Sequence, residues 1–188
     1  MPLTNHNFKN DKFSIGYKLF LPDEYGKIEN ELYPIIIFLH GVKKRGNDLS
    51  LLDDYGLLRI TEQKKDFSYI VLAPQCPEDS YWPNNRLAVM KLLEEFLRNY
   101  QVDHDRIYLT GFSMGGYGVW DFHGEDDDVV SISGSESMIS AIVELGGSPK
   151  FTRYPGYDHD HKIMYDTYSN PELYAWFESN KRGGGKPR

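Results

Sequence analysis

The sequence is short of several things, and each shortage removes a class of function. It has a single cysteine, Cys76, so no internal disulfide can form, which fits a reducing compartment. Cys76 ends an apolar stretch and reads as a buried structural thiol rather than a nucleophile. No run approaches the roughly 18 apolar residues of a membrane span. The first ten residues, Met1 to Asn10, have neither the apolar core nor the small-residue cleavage site of a secretory signal, so a cytoplasmic location is expected. Positive charge is also scarce: 21 Lys and Arg face 28 Asp and Glu, a formal net charge of −7. That balance argues against nucleic acid or an anionic membrane as the main partner. The small basic cluster Lys43-Lys44-Arg45 reads as a solvated turn, with a substrate-anion site as its alternative.

What is present suits a single folded unit. A chain of 188 residues, 40% hydrophobic and 14% aromatic, is long enough for one continuous core and short for two. One domain is expected over residues 1–182, followed by a disordered glycine-rich tail at 183–188. Phe13, Ile15, Tyr17, Leu19 and Leu21 alternate as in a half-buried strand, which fits an antiparallel position near a sheet edge. Pro34–Leu39 and Tyr69–Ala73 are instead continuous apolar runs, as expected of parallel strands covered on both faces. Arg106–Thr110 reads as a third such strand and Lys150–Tyr154 as a last short one.

Helices are expected over Leu49–Gln63 with a break near Gly56, and over Asn85–Tyr100 with the stripe Val89, Leu93, Phe96 and Tyr100. Ser131–Leu145 reads as another helix, and Pro171–Lys181 as a terminal one capped by Asn170. Strands alternating with helices call for a doubly wound α/β sheet.

Gly111-Phe112-Ser113-Met114-Gly115 fits the pattern G-x-S-x-G, directly after a strand and before a glycine-rich helix start. Glycines are needed there because a sharp strand-to-helix turn leaves no room for side chains beside the serine. A serine hydroxyl needs a histidine base and an acid to orient that base. His159, after the last apolar segment, is preferred to its neighbour His161. The acid falls within His123 to Val130, where Glu125, Asp126, Asp127 and Asp128 compete; this cluster lacks the alternating spacing and central glycine of a calcium loop. Backbone N–H donors for an oxyanion are expected at Met114 and at Val42, in the loop after Pro34–Leu39. His40 reads as a hydrogen-bonded structural residue.

These segments resemble the carboxylesterase, phospholipase and dienelactone-hydrolase-like branch of the α/β hydrolases, which includes predicted peptidases. The resemblance spans about Phe13 to Phe177. It rests on Phe38-Leu39-His40-Gly41 with Arg45-Gly46-Asn47-Asp48, Ala73-Pro74-Gln75-Cys76-Pro77, the serine motif, Phe122-His123-Gly124 with the acids after it, and Tyr154-Pro155-Gly156-Tyr157-Asp158-His159. It implies a mostly parallel doubly wound sheet, a triad of Ser113, Asp127 and His159, and an acyl-enzyme route on a small-molecule ester or thioester without a cofactor or metal. Peptide cleavage is less favoured.

The chain departs from that pattern where Trp120-Asp121 runs straight into Phe122-His123-Gly124. Relatives carry a helix end and central strand region at this point. A helix from Met114 to Phe122 would take the chain ~13 Å from the serine turn. Bringing Asp127 back requires a crossover of roughly a dozen residues. The sheet is therefore expected to be shortened and Asp127 displaced, and a catalytically impaired binding scaffold is the competing reading.

Overall fold

The computed structural model describes residues 3–119, 136, 139–140, 142–144, 149–159 and 161–181. Five strands form one sheet: β1 (Thr4–Lys9), β2 (Ser14–Phe20), β3 (Tyr33–Leu39), β4 (Ile70–Pro74) and β5 (Val102–Gly111). Their order is β1-β2-β4-β3-β5. β3 is parallel to both β4 and β5, whereas β2 is antiparallel to β4 and to β1. Four of the five strands thus point the same way, and the sheet is mostly parallel and short. Among the described residues no strand lies beyond β5.

The uninterrupted apolar run of β3 has a direct cause in the layering. Ile36 and Phe38 face a core built with Leu57, Leu58, Ile163 and Tyr168. Ile35, Ile37 and Leu39 face a second core built with Ala88, Leu92 and Phe96. Successive side chains of a strand point to opposite faces, so a strand covered on both sides has no position left for a polar residue. The first core is closed by helices α1 (Leu57–Gln63), α4 (His161–Ser169) and α5 (Pro171–Ser179), the second by α2 (Trp82–Asn99). Between α2 and α4 lies α3 (Met114–Val119), which follows β5.

Several elements differ from the sequence reading. β1 was not expected: of Thr4–Lys9 only Phe8 is buried, and an edge strand with one solvated face carries almost no apolar signal. α2 begins three residues earlier than expected, with Pro83 in its first turn, where proline's missing N–H costs nothing. Its buried residues are Trp82, Ala88, Leu92 and Phe96, while Val89, Leu93 and Tyr100 flank them. The true stripe is therefore turned by about one residue.

Lys150–Tyr154 forms no strand; only an isolated bridge at Tyr154 occurs there. The interruption at Gly56 is real: a 3₁₀ turn over Leu49–Leu52 precedes it, and Gly56 adopts φ 55° at the start of α1, where a Cβ would collide with the Phe38 ring. The expected cap on α5 is also present, with Asn170 Oδ1 accepting from the Glu172 amide at 2.9 Å. The Trp120–Phe122 junction, the tail 183–188 and most of the expected Ser131–Leu145 helix lie outside the described residues, although 136, 139–140 and 142–144 are helical.

His40 ties the loops at the C-terminal ends of β3 and β4 together. Its Nε2 accepts the Cys76 amide at 2.9 Å, and its Nδ1 donates to the Gly41 carbonyl at 2.7 Å, which fixes a neutral imidazole. Trp82 packs edge-on against the ring and donates Nε1–H to the His40 carbonyl at 2.9 Å. Gln75 donates to the carbonyls of Lys44 and Asp48, and the Gly46 amide donates to the Cys76 carbonyl. Burial first, and the charges of Lys44 and Arg45 next among the lowering influences, push the His40 pKa from 6.5 down to about 4.

Between those two values the unfolded chain binds more protons than the folded one. The stability held in neutral His40 is thus complete above pH 6.5 and lost as pH falls toward 4. From pH 7.5 to pH 5 the stability advantage of wild type over His40→Gln should shrink by ~2 kcal/mol, measured by urea unfolding. A gap that does not change with pH would contradict a buried neutral His40.

Candidate active site

β5 ends at Gly111 and α3 begins at Met114, leaving Phe112 and Ser113 to make the whole turn. Phe112 continues the pairing by donating its amide to the Leu39 carbonyl at 3.1 Å, and the Gly115 amide then donates to the Phe112 carbonyl at 2.9 Å. A Cβ at Gly115 would overlap the Leu39 carbonyl, and one at Gly111 would lie 2.5 Å from the backbone of Gly115. The two glycines of the motif are thus demanded by close backbone approach. Between them Ser113 is forced to φ 53°. A non-glycine residue in this left-handed region stores ~1–3 kcal/mol, which only over-determined surroundings sustain.

The histidine reaches this serine from the opposite end of the sequence. After the bridge at Tyr154, a turn with Gly156 at φ 76° redirects the chain. The His159 amide then donates to Asp158 Oδ1 at 2.6 Å. His159 Nε2 lies 2.9 Å from Ser113 Oγ. Its ring stacks on Phe112 with centroids 5.4 Å apart and planes 27° apart. The residue before the serine therefore supplies the platform on which the histidine rests. His161 takes a different place: it opens α4 with its ring against Tyr55, Phe112 and Tyr165. Asp127, with its neighbours Glu125, Asp126 and Asp128, lies outside the described residues.

Gly41 borders the serine from the β3 side. A Cβ there would sit 3.5 Å from Ser113 Cβ and 3.1 Å from the Tyr55 hydroxyl, which accepts the Gly41 amide at 3.3 Å. Val42 follows Gly41 and starts a 3₁₀ turn; Met114 follows Ser113 and starts α3. Met114 is thus the serine's chain neighbour, and Val42 lies one residue beyond Gly41. Phe112 and Tyr55 were not singled out from sequence. Phe112 occupies the open position of the motif, and Tyr55 lies in a stretch whose only visible signal was helical periodicity. Among the described residues no group of three or more His, Cys, Asp or Glu is arranged to hold a metal ion, and no helix is long and apolar enough to cross a membrane.

No protein-family model matches the chain, and no curated protein matches it in sequence. Solved structures do. A thermostable esterase is 28% identical with a TM-score of 0.81, over 96% of this chain and 63% of that one. An S-formylglutathione hydrolase from Staphylococcus aureus is 12% identical with a TM-score of 0.71, over 94% and 96% of the two chains. A ferulic acid esterase is 14% identical with a TM-score of 0.68, over 95% and 98%. The chain spans 63% of the length of the thermostable esterase. The other two likenesses, at low identity, concern the fold alone. With these structures the chain shares a mixed, mostly parallel sheet flanked by helices, and its fold is an α/β-hydrolase fold of the esterase type.

Proposed function

We propose that the chain is a serine hydrolase of carboxylic esters or thioesters. The observation that carries this reading is the 2.9 Å approach of His159 Nε2 to Ser113 Oγ, made by a serine held at φ 53°. A hydroxyl on a strained turn with an imidazole nitrogen in hydrogen-bond range is the arrangement that nucleophilic acyl transfer needs. Esterases and a hydrolase among the structural neighbours agree with it.

In this mechanism Ser113 Oγ bonds to the ester carbonyl carbon as its proton passes to His159 Nε2. The carbonyl oxygen becomes an oxyanion and is received by the amides of Met114 and Val42. Collapse breaks the bond to the alkoxide or thiolate, which leaves with the proton from Nε2. Water then attacks the acyl-Ser113 carbonyl, giving its proton to the same nitrogen, and the acid departs as Ser113 regains its hydrogen. Asp127 is proposed as the acid that fixes the tautomer and orientation of His159, and the step requires no cofactor. Amide cleavage is less favoured, because it demands stronger protonation of the leaving nitrogen.

Turnover of chromogenic esters tests this directly. Ser113→Ala and His159→Ala should each lower kcat by at least about 10³-fold, while the competing binding-scaffold reading predicts no turnover for any variant. If the short Trp120–Phe122 junction displaces the acid, Asp127→Asn should cost much less than the ~10⁴ seen when a well-placed triad acid is removed.

Chain-length preference follows from the same shortening. Without a segment to build deep pocket walls, energy from a long acyl chain is poorly used. Acetyl and butyryl esters should be cleaved at least as well as palmitoyl esters, and a clear preference for palmitoyl would contradict an open site.

A further inference from the structure

The loop that follows His40 carries positive charge in a chain that is otherwise acidic. Lys43, Lys44 and Arg45 come directly after Gly41 and Val42, and a Cβ at Gly41 would lie 3.5 Å from Ser113 Cβ. Among the described residues none of these three cations has a carboxylate partner, whereas Lys18, Arg59, Arg106 and Lys150 all do.

Their side chains have different roles. Arg45 is committed to the fold: Nε donates to the Val42 carbonyl at 3.2 Å, Nη1 donates to the Ser80 carbonyl at 3.1 Å, and the guanidinium lies over the Tyr81 ring. Lys43 is exposed. Lys44 is half-buried, and its ammonium stands 4.8 Å over the centre of the Tyr55 ring. Its backbone is fixed at both ends, the amide donating to Gly41 and the carbonyl accepting from Gln75.

Tyr55 connects this lysine to the reacting centre. Its ring is buried against Phe38 and His161, and its hydroxyl accepts the amide of Gly41, the residue that faces Ser113 across the strand ends. A cation held on an aromatic face keeps its N–H donors free for an incoming anion. Its field also reaches the strand end, because Lys44 and Arg45 are, after burial, the influences that lower the His40 pKa. A half-buried ammonium on the loop that follows Gly41, with a ring for its counter-face and no carboxylate partner among the described residues, is placed to receive an anion.

We propose that Lys44, held over Tyr55, is an anion subsite of the active site and that the preferred substrate is an ester or thioester bearing a carboxylate. This substrate class rests on the serine-hydrolase reading above; the binding of the anion does not.

The test separates the two. Ser113→Ala is titrated calorimetrically with monomethyl glutarate, whose carboxylate is on the acyl side, and with 4-acetoxybenzoate, whose carboxylate is on the leaving group. Dimethyl glutarate and methyl 4-acetoxybenzoate are the neutral counterparts. Adding Lys44→Met should weaken at least one anion roughly tenfold relative to its neutral counterpart. Lys44→Arg should restore much of that preference, and Lys43→Met should leave it intact. The affected anion identifies which side of the ester carries the charge. In the otherwise wild-type chain, the anionic-to-neutral ratio of kcat/KM should fall by the same factor in Lys44→Met and decline with added salt. Anions that fail to bind Ser113→Ala, or that bind equally well after Lys44→Met, would overturn the subsite. Lysine-dependent binding without turnover of any ester would retain the subsite and overturn the hydrolase reading.

Discussion

The end of the molecule that carries Ser113 depends on one backbone contact, the seating of Gly115 against the carbonyl of Leu39. α3 can leave β5 only by passing this close to β3, and no side chain fits between them. That approach sets the angle of the turn, and the angle puts Ser113 at φ 53° with Oγ at the C-terminal edge of the sheet. The strain is sustained because β3 and β5 pair from Ile35 through Leu39 in unbroken parallel register. It is also held by burial on both faces of β3, which leaves Ile35, Ile36 and Phe38 almost wholly inaccessible. The serine's geometry is thus a property of the core rather than of a loop.

Around this fixed point gather the C-terminal ends of β3, β4 and β5, the edge at which open parallel sheets commonly place their sites. The turn after β5 holds Ser113, the loop after β3 carries Gly41, and the loop after β4 supplies the Cys76 amide and the Gln75 side chain that hold the β3 loop in place. His40 serves this purpose as a neutral imidazole, with one nitrogen accepting and the other donating. His159 serves another on the exposed side of the turn, resting on Phe112. The two histidines differ in their surroundings: one is sealed beneath Trp82, the other reaches the serine from a partly open loop.

What could be read in the sequence is what the core dictates. Pro34–Leu39 and Tyr69–Ala73 announce strands buried on both faces, and the glycines around Ser113 announce close backbone approach. The missed parts have weak local signals. Thr4–Lys9 is an edge strand held by pairing to β2 rather than by burial. α4 does carry a helical stripe of Ile163, Met164, Thr167 and Tyr168, but it begins two residues after His159 in a stretch that reads as loop. Lys150–Tyr154 has strand-like composition but makes only the isolated bridge at Tyr154. Tyr55 and Phe112 contribute through the rings they touch, and tertiary contacts of that kind leave no pattern in the order of residues. The pairing of His159 with Ser113 was expected from the order of the motifs; the acid assigned to complete it, Asp127, rests on resemblance.

The central claim is that His159 makes Ser113 selectively nucleophilic. The most direct measurement is the rate of covalent labelling by a fluorophosphonate, followed by intact mass and mapped by peptide sequencing in wild type and His159→Ala. The account predicts a single adduct on Ser113 that forms rapidly in wild type and at least about 10³-fold more slowly without the imidazole. Labelling spread over several serines, or equally fast on Ser113 in both proteins, would contradict it.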